Sequence, residues 1–146
     1  MLKGAFMTDH ALSGITIGKR IEFEKTVTAG DIERFAELTG DFDPLHTDEE
    51  FCKTTPYGTR IAHGALIIGY MSAAASKMTG SMDRAVASLG YDRIRLVAPV
   101  FIGDRVTTAY EVISTDPERN RATAKITVTN QHGKTVAVAE HIMKVL

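Results

Sequence analysis

Apolar and polar residues alternate with two different periods along the chain, and each change of period marks an element. Residues 19–28 alternate strictly enough to predict a first, half-buried strand. Thr28 and Asp31 then resemble a capping box, and apolar residues recur at helical spacing as far as Gly40. A glycine in this place suits the left-handed end of a helix. The pattern therefore predicts a strand followed by a capped helix.

The middle of the chain first loses this regularity and then becomes helical again. Residues 41–60 hold two prolines and a glycine, which predicts an irregular connection with one short helical turn near residues 48–53. Residues 63–79 return to helical spacing, but apolar or small residues occupy every face as far as Lys77. A helix without a polar face is typical of one that is buried on all sides. We therefore expect other elements to wrap around it.

The last part of the chain alternates strictly again. Residues 84–100 predict one strand, and three alternating runs joined by short polar turns follow at residues 106–112, 122–128 and 135–146. Short turns between alternating runs are typical of an antiparallel meander. Five strands and one buried helix predict an α+β domain, in which an antiparallel sheet curls around a long central helix.

Composition narrows the class of protein without identifying its chemistry. The chain has 146 residues, of which 44% are hydrophobic and 24% charged, which suits one globular domain over residues 1–146. A net charge of −1 without a basic stripe argues against a nucleic-acid partner. We see no signal peptide and no membrane-spanning run, and we expect residues 1–15 to be loosely ordered. The single cysteine, Cys52, favours a reducing, cytoplasmic location.

The stretch from Leu38 to His46 holds the best candidates for chemistry. Asp41 and His46 lie five residues apart, and a glycine and a proline constrain the loop, so both side chains can converge on one point. A carboxylate and an imidazole in this arrangement can bind a water molecule and move its protons. Alternatively, Asp41 caps the local backbone and His46 is a surface residue, because loops rich in Asp and Pro are common.

The start of the apolar helix, at His63 and Gly64, is a second candidate region. Helix N-termini carry free N–H groups and a partial positive charge, and Gly64 lets a ligand approach the backbone closely. An N–H group there can stabilise the negative oxygen of an enolising thioester, although small residues also suit plain packing. For His63 we favour a structural hydrogen bond over a catalytic role. Ser72, farther along the helix, needs a hydrogen-bond partner that is either backbone or ligand.

Several common chemistries lack their sequence motifs. The five histidines and the single cysteine show no metal-ligand spacing. Neither a dinucleotide-binding nor a phosphate-binding glycine motif is present, and a serine-nucleophile elbow is also absent. We therefore expect no metal and no bound cofactor.

Together, the two candidate regions resemble the MaoC-like acyl dehydratases, also called (R)-specific enoyl-CoA hydratases. The family's loop pattern (small residue, Gly, Asp, any residue, Asn, Pro, aliphatic, His) matches residues 39–46 except at one position. A His-Gly pair opens the helix as in the family, and residues 99–104 are similar to its characteristic strand turn. Asp43 stands where the family usually has Asn. This second carboxylate raises one pKa if it lies close to Asp41, or it faces solvent or pairs with Arg60.

The resemblance implies a hotdog fold and a homodimer or higher even oligomer. It also implies reversible syn addition of water to a trans-2-enoyl thioester, which gives the (R)-3-hydroxyacyl thioester, as in fatty acid metabolism. No cofactor is implied beyond the CoA or acyl carrier protein that forms part of the substrate. In this interpretation Asp41 and His46 bind the catalytic water. The Gly64 N–H polarises the thioester carbonyl, and Ser72 lies near the water.

Two other functions stay open at this stage. A hotdog thioesterase would hydrolyse the thioester on the same scaffold, and the spacing of Asp41 and His46 favours the hydratase over it. A non-catalytic subunit would bind acyl thioesters without turning them over, and the carboxylate in place of the family's asparagine keeps this alternative open. Three arginines are candidates to meet CoA phosphates, or they are surface charges: Arg60, Arg93 and Arg95.

Overall fold

A computed structural model of the chain describes residues 10–146, which form one five-stranded antiparallel sheet and the helices packed on it. In chain order the elements are β1 (Arg20–Thr26), α1 (Ala29–Thr39), α2 (Pro44–Thr47), α3 (Glu49–Cys52), α4 (Gly64–Thr79), β2 (Val86–Leu96), β3 (Arg105–Asp116), β4 (Arg121–Thr129) and β5 (Thr135–Val145). The strands are arranged β1-β3-β4-β5-β2, so β1 and β2 form the two edges. α4 packs on the sheet against β1 and β3. The predicted α+β class and the β3-β4-β5 meander are confirmed.

α1 begins and ends where the sequence predicted. The Thr28 hydroxyl accepts a hydrogen bond from the Asp31 N–H at 3.1 Å, and the Asp31 carboxylate accepts one from the Thr28 N–H at 2.9 Å. This reciprocal pair is a capping box. At the other end, Gly40 has a φ of 83° and donates its N–H to the carbonyl of Ala36. The left-handed glycine fixes the direction in which the chain leaves α1 towards Asp41.

The connection between α1 and α4 is more regular than predicted. Instead of one short turn it contains two four-residue helices, α2 and α3. The sequence does not reveal α2, because prolines in a connection usually indicate irregular structure. Pro44 occupies the first turn of α2, where its missing N–H has no cost, and Asp43 caps the helix by accepting from the Leu45 N–H at 2.8 Å.

The N-terminal segment packs on the core over the part that the structure describes. Leu12 and Ile15 are buried in the core, and the Ser13 N–H donates to the carbonyl of His10 at 2.7 Å. The loose order expected of residues 10–15 stays a prediction. For residues 1–9 the prediction lies outside the described residues.

α4 is buried on one face only. Its inner face packs in the core through Ile67, Tyr70, Met71, Ala74 and Met78. The opposite face is exposed in the single chain, and it carries small side chains at helical spacing: Ala65, Gly69, Ser72 and Ser76. The prediction of burial on all sides is therefore wrong for a single chain. We call these four residues the small-residue stripe. None of the helices within residues 10–146 is long and apolar enough to cross a membrane.

The edge strand β2 is irregular and partly apolar on its exposed side. Its pairing with β5 is interrupted twice, near Gly90 (φ 146°) and near Arg93 (φ 53°). Leu89 and Leu96 are about half exposed, and so is Val97 directly after the strand. β2 therefore offers a bulged, apolar edge next to the small-residue stripe.

Candidate active site

Three elements bring Asp41, His46 and His63 together at the N-terminal end of α4. Asp41 follows the end of α1, His46 lies on α2, and His63 is the N-cap of α4. One side-chain oxygen or nitrogen of each residue lies within 4.8 Å of the others. Asp41 and His46 therefore converge as the constrained loop predicted. Their catalytic role stays a prediction.

A hydrogen bond to the backbone determines which ring nitrogen of neutral His46 carries the proton. Its Nδ1 lies 2.8 Å from the carbonyl oxygen of Ile61. A carbonyl oxygen only accepts hydrogen bonds, so Nδ1 carries the proton in the neutral ring and Nε2 keeps a lone pair. His46 can therefore accept a proton at Nε2 while Nδ1 stays anchored to the backbone.

His63 contacts both Asp41 and His46. Its side chain is 1% exposed, and its Nε2 donates to the main-chain carbonyl of Asp41 at 3.0 Å. Its ring is stacked on His46 with centres 3.9 Å apart and also contacts Phe35. Its Nδ1 has no hydrogen-bond partner within residues 10–146. These contacts support the structural role that the sequence favoured for His63.

The Asp41 carboxylate is exposed and is oriented by the backbone. Its Oδ1 accepts from the N–H of Asp43 at 3.2 Å, so the local capping role considered from the sequence is also present. The Asp43 carboxylate is directed at the start of α2, where it caps the N–H of Leu45. An asparagine oxygen can make the same bond. Asp43 thus replaces the family's asparagine without loss of the turn.

Arg60 has different partners from those considered from the sequence. Its guanidinium lies 3.4 Å from Glu49 on α3 and 3.8 Å from Glu33 on α1, and the expected alternative of a pair with Asp43 is wrong. Glu49 also accepts hydrogen bonds from the Thr59 hydroxyl and the Arg60 N–H. The bond from Thr59, followed by those from Arg60, lowers the pKa of Glu49. Through these two ion pairs, Arg60 links the end of the connection to α1 and to α3.

The other two arginines considered for CoA phosphates lie on β2. Arg93 pairs with Glu140 at 2.8 Å, and Arg95 donates to the carbonyl of Ile94. Contact of any of the three arginines with a CoA phosphate stays a prediction.

A cavity of about 230 Å³ opens beside His46 and the start of α4. Gly64 forms part of its wall, and a Cβ atom at this position would collide with the Cδ1 atom of Leu96. No side chain within residues 10–146 caps this end of α4. The Leu66 N–H donates to the carbonyl of His63 at 3.1 Å, which leaves the N–H groups of Gly64 and Ala65 and the positive end of the helix dipole available to a ligand. Apolar side chains form most of the remaining wall: Tyr57, Ile61, Ala62, Ile67, Leu96, Val97, Ala98, Pro99, Val100 and Val136.

Ser72 does not join this group within a single chain. It lies eight residues beyond Gly64 on α4, which corresponds to roughly 12 Å along the helix. It lines a separate cavity of about 190 Å³ at the other end of β2. A place near the catalytic water would require Ser72 to lie close to Asp41 and His46. Within a single chain the structure does not bring these residues together.

Sequence reasoning missed a second polar cluster, which surrounds His141 on β5. Its Nδ1 lies 2.6 Å from the Tyr110 hydroxyl and its Nε2 lies 2.7 Å from the Ser88 hydroxyl, while Tyr91 is stacked on its ring. Burial lowers the pKa of His141 and raises that of Tyr110. The alternation along β5 could have revealed this cluster. His141 is a polar residue in a series of inward-facing positions that are otherwise apolar: Ala137, Ala139, Met143 and Val145.

Within residues 10–146, one group of side chains is close enough to hold a metal ion: Asp41, His46 and His63. Metal ligands normally point their lone pairs from different directions at one centre. The two imidazoles are instead stacked, with an angle of 29° between their planes, and His63 Nε2 is committed to a carbonyl. The arrangement therefore fits a hydrogen-bonding site better than a metal site.

Comparisons with known proteins agree with this geometry. The family described as MaoC like domain matches residues 13–136. The 3-hydroxybutyryl-CoA dehydratase of Methylorubrum extorquens is 37% identical over 74% of this chain and 67% of its own length. The (R)-specific enoyl-CoA hydratase of Rhodospirillum rubrum is 34% identical over 82% of this chain and 81% of its own.

Similarity in structure leads to the same group of proteins. The solved (R)-hydratase of Aeromonas caviae superimposes with a TM-score of 0.83 at 28% identity, covering 90% of this chain and 98% of that one. This match confirms the predicted hotdog fold. Three observations agree: the loop with Asp41 and His46, the His-Gly helix start, and the family match over residues 13–136. The chain therefore belongs to the MaoC-like dehydratase family.

Proposed function

We propose that the protein catalyses the reversible syn addition of water to trans-2-enoyl thioesters, which gives (R)-3-hydroxyacyl thioesters. The observation that carries this proposal is the meeting of Asp41 and His46 beside an uncapped helix start. A water-activating pair and an anion-stabilising group are what hydration of an activated double bond requires. The relatives named as hydratases and dehydratases support the same chemistry.

In the proposed reaction the carboxylate of Asp41 and the Nε2 atom of His46 hold a water molecule. Asp41 takes one proton from the water, and the resulting hydroxide adds to C3 of the enoyl group. The electron pair of the double bond moves to the thioester oxygen, where the Gly64 N–H stabilises the negative charge. The dyad then delivers the proton to C2 from the same side. This explains syn addition, and dehydration is the reverse path.

The proposed reaction needs no redox group and no metal, because the protons move between side chains and the oxygen charge is held by the helix start. CoA or acyl carrier protein takes part only as the thioester portion of the substrate. An unchanged rate after dialysis against EDTA supports this part of the proposal. Loss of activity that added metal restores contradicts it.

The proposal also includes a homodimer, or a higher even oligomer, acting in fatty acid metabolism in the cytoplasm. The apolar edge of β2 and the small-residue stripe of α4 leave a surface that a second copy would cover. Cys52 is unpaired and buried, which agrees with a reducing compartment. Cys52 donates from its thiol to the carbonyls of Pro44 and Leu45, and burial raises its pKa, so it supports α2 rather than acting as a nucleophile.

An assay with crotonyl-CoA separates the three functions that the sequence left open. Loss of the enoyl ultraviolet absorbance without release of free thiol is the expected result, with (R)-3-hydroxybutyryl-CoA as the product on chiral chromatography. Release of free thiol identifies a thioesterase instead. Binding of acyl-CoA without turnover of enoyl-CoA of any chain length identifies a non-catalytic subunit and overturns the proposal.

A further inference from the structure

Two routes of contact lead from Phe35 on α1 to the two proposed catalytic groups. Phe35 is partly buried and does not line the cavity beside Gly64, and the proposed function gives it no contact with substrate. One route leads from its main-chain carbonyl to Asp41. The other leads from its ring to His46.

The first route is a pair of hydrogen bonds around the C-terminal end of α1. The Thr39 hydroxyl donates to the carbonyl of Phe35 at 2.7 Å, and its oxygen accepts from the Asp41 N–H at 3.3 Å. Gly40, between Thr39 and Asp41, has the left-handed conformation that ends the helix. The Thr39 hydroxyl therefore holds the chain directly after that turn, at the residue that carries the proposed base. A side chain without a hydroxyl can make neither bond.

The second route is a series of three aromatic rings from α1, from α2 and from the start of α4. The centre of the Phe35 ring lies 4.7 Å from that of His63, and the His63 ring is stacked on that of His46 with centres 3.9 Å apart. His63 is 1% exposed, and its Nδ1 has no hydrogen-bond partner within residues 10–146. Its ring is therefore oriented by one hydrogen bond at Nε2 and by its ring contacts.

The ring of His46 needs this support because its own hydrogen bond fixes only one atom. Its Nδ1 lies 2.8 Å from the carbonyl oxygen of Ile61, but a ring that is held at one atom can still tilt about that bond. Tilting would move Nε2, the atom that holds the water in the proposed reaction. The stack on His63 fixes the plane of the His46 ring, and Phe35 is the second ring that contacts His63.

We propose that Phe35 and Thr39 are positioning residues, which hold His46 and Asp41 at the separation that binding of one shared water requires. The inference rests on the proposed function, because it concerns the geometry of the same catalytic pair. Neither residue contacts the reacting atoms in that function, so each acts through the group that it holds. An error of about 1 Å in the place of a catalytic group lowers a rate by up to about a hundredfold, so loss of either support should reduce kcat.

Thr39→Val tests the first route, because it keeps the shape of the side chain but removes the hydroxyl. We expect kcat for crotonyl-CoA to fall about three- to thirtyfold and KM to change less than about twofold, since Thr39 does not line the cavity beside Gly64. Thr39→Ser keeps the hydroxyl and is expected to recover the rate. Thr79→Val is the matched control and should leave kcat unchanged, because the Thr79 hydroxyl makes the same type of bond to the carbonyl of Ala75 at the end of α4.

Phe35→Leu tests the second route, because it removes the ring but keeps an apolar side chain. We expect kcat to fall at least about tenfold with KM little changed, whereas Phe35→Tyr keeps the ring and should retain most of the rate. Phe51→Leu makes the same change on α3, at a ring without an aromatic contact within residues 10–146, and should leave kcat unchanged. Circular dichroism and thermal melting check that every variant is folded.

A double variant separates a positioning role from a general effect on the fold. Because Thr39 acts through Asp41 in this inference, Thr39→Val is expected to lower kcat little further in a protein that already carries Asp41→Asn. The same fractional loss of kcat in both backgrounds overturns the positioning role of Thr39. A lower melting temperature with a normal kcat also overturns it, because the hydroxyl then only stabilises the end of α1.

The outcomes also distinguish this inference from the proposed function. If the unaltered protein hydrates crotonyl-CoA but Thr39→Val and Phe35→Leu both keep a normal kcat, the inference alone is wrong. A normal kcat in one of the two variants removes that residue from the inference. If the unaltered protein hydrates no enoyl-CoA, the proposed function fails and the inference fails with it.

Discussion

His63 donates a hydrogen bond from Nε2 to the main-chain carbonyl of Asp41, 3.0 Å away. The bond links the residue that begins α4 to the loop that carries the proposed base, across a gap of many residues in sequence. The position of the carboxylate relative to the helix start therefore depends on a side chain to which the proposed reaction assigns no proton transfer.

The first prediction follows from this bond. His63→Ala removes the donor and the ring under His46, and we expect kcat for crotonyl-CoA to fall at least about tenfold, because small displacements of catalytic groups are costly. His63→Gln can place an amide N–H near the same carbonyl, so it is expected to recover part of the lost rate. Circular dichroism and thermal melting check that both variants are folded. Equal rates for the two variants would contradict the role of the hydrogen bond.

The second prediction concerns the two proposed catalytic groups. Asp41→Asn and His46→Ala are each expected to lower kcat by at least about a hundredfold, as for other general acid–base groups. Asp43→Asn is the matched control, since it changes the neighbouring carboxylate in the same way but keeps an oxygen that can accept from the Leu45 N–H. Steady-state kinetics with crotonyl-CoA give the comparison. A rate close to normal in Asp41→Asn would remove that carboxylate from the mechanism.

A third prediction tests the helix start. In Gly64→Ala the new methyl group meets the flexible end of Leu96, so the fold is expected to adjust while the thioester loses its close approach to the backbone. We expect kcat/KM to fall at least about tenfold with little change in melting temperature. Adding Leu96→Ala removes the collision but not the methyl group. If the double variant regains full activity, the packing of Leu96 and not access to Gly64 explains the loss.

The fourth prediction is a dependence of stability on pH. Burial opposes ionisation of Asp31, but hydrogen bonds from Thr28 and the nearby Lys25 outweigh it and lower its pKa to about 2 from 3.8. Ionised Asp31 therefore stabilises the folded state at neutral pH, and this contribution is lost as pH falls from about 4 towards 2.

Asp31→Asn is the variant that tests this dependence. It is expected to be less stable by about 1 kcal/mol at neutral pH, through loss of the charged partner in the capping box. Urea unfolding at several pH values measures the difference, which should shrink in acid. A difference that is constant between pH 7 and pH 3 would show that Asp31 does not contribute through its charge.

The fifth prediction concerns assembly. Leu89→Asp places a charge on the exposed apolar edge of β2, and we expect it to shift the proposed dimer to a monomer in light scattering. Leu38→Asp makes the same change at a more exposed leucine on α1, outside the proposed interface, and should leave the dimer intact. A dimer that survives Leu89→Asp must use another surface.

The elements that local chemistry determines could be predicted from the sequence. The capping box at Thr28 and the left-handed glycine at position 40 need only neighbouring residues, so the bounds of α1 were predicted closely. Asp41 and His46 were also found locally, because Gly40 precedes them and Pro44 lies between them. α2 was missed because a proline soon after a helix suits a loop as well as the first turn of another helix.

Features that depend on distant contacts could not be predicted in the same way. The four exposed positions of α4 carry small residues. Small residues occur both in tightly packed cores and in surfaces that bind a partner, so the sequence pattern alone does not indicate that these positions are exposed. Arg60 finds its partners on α1 and α3. Ser72 lies roughly 12 Å along α4 from Gly64 and lines a different cavity. In the cluster of Ser88, Tyr110 and His141, the histidine lies 53 residues from the serine and 31 residues from the tyrosine.

Asp41, His46 and His63 all lie in the connection between α1 and α4, whereas the sheet supplies no member of this group. The strands that line the cavity around Ser72 can therefore accumulate substitutions without altering the groups to which we assign the reaction. Descendants of one ancestral gene could acquire new substrates on β2 and β5 while inheriting the same reaction. Directed evolution of this protein should accordingly confine its libraries to those strands and leave the connection untouched.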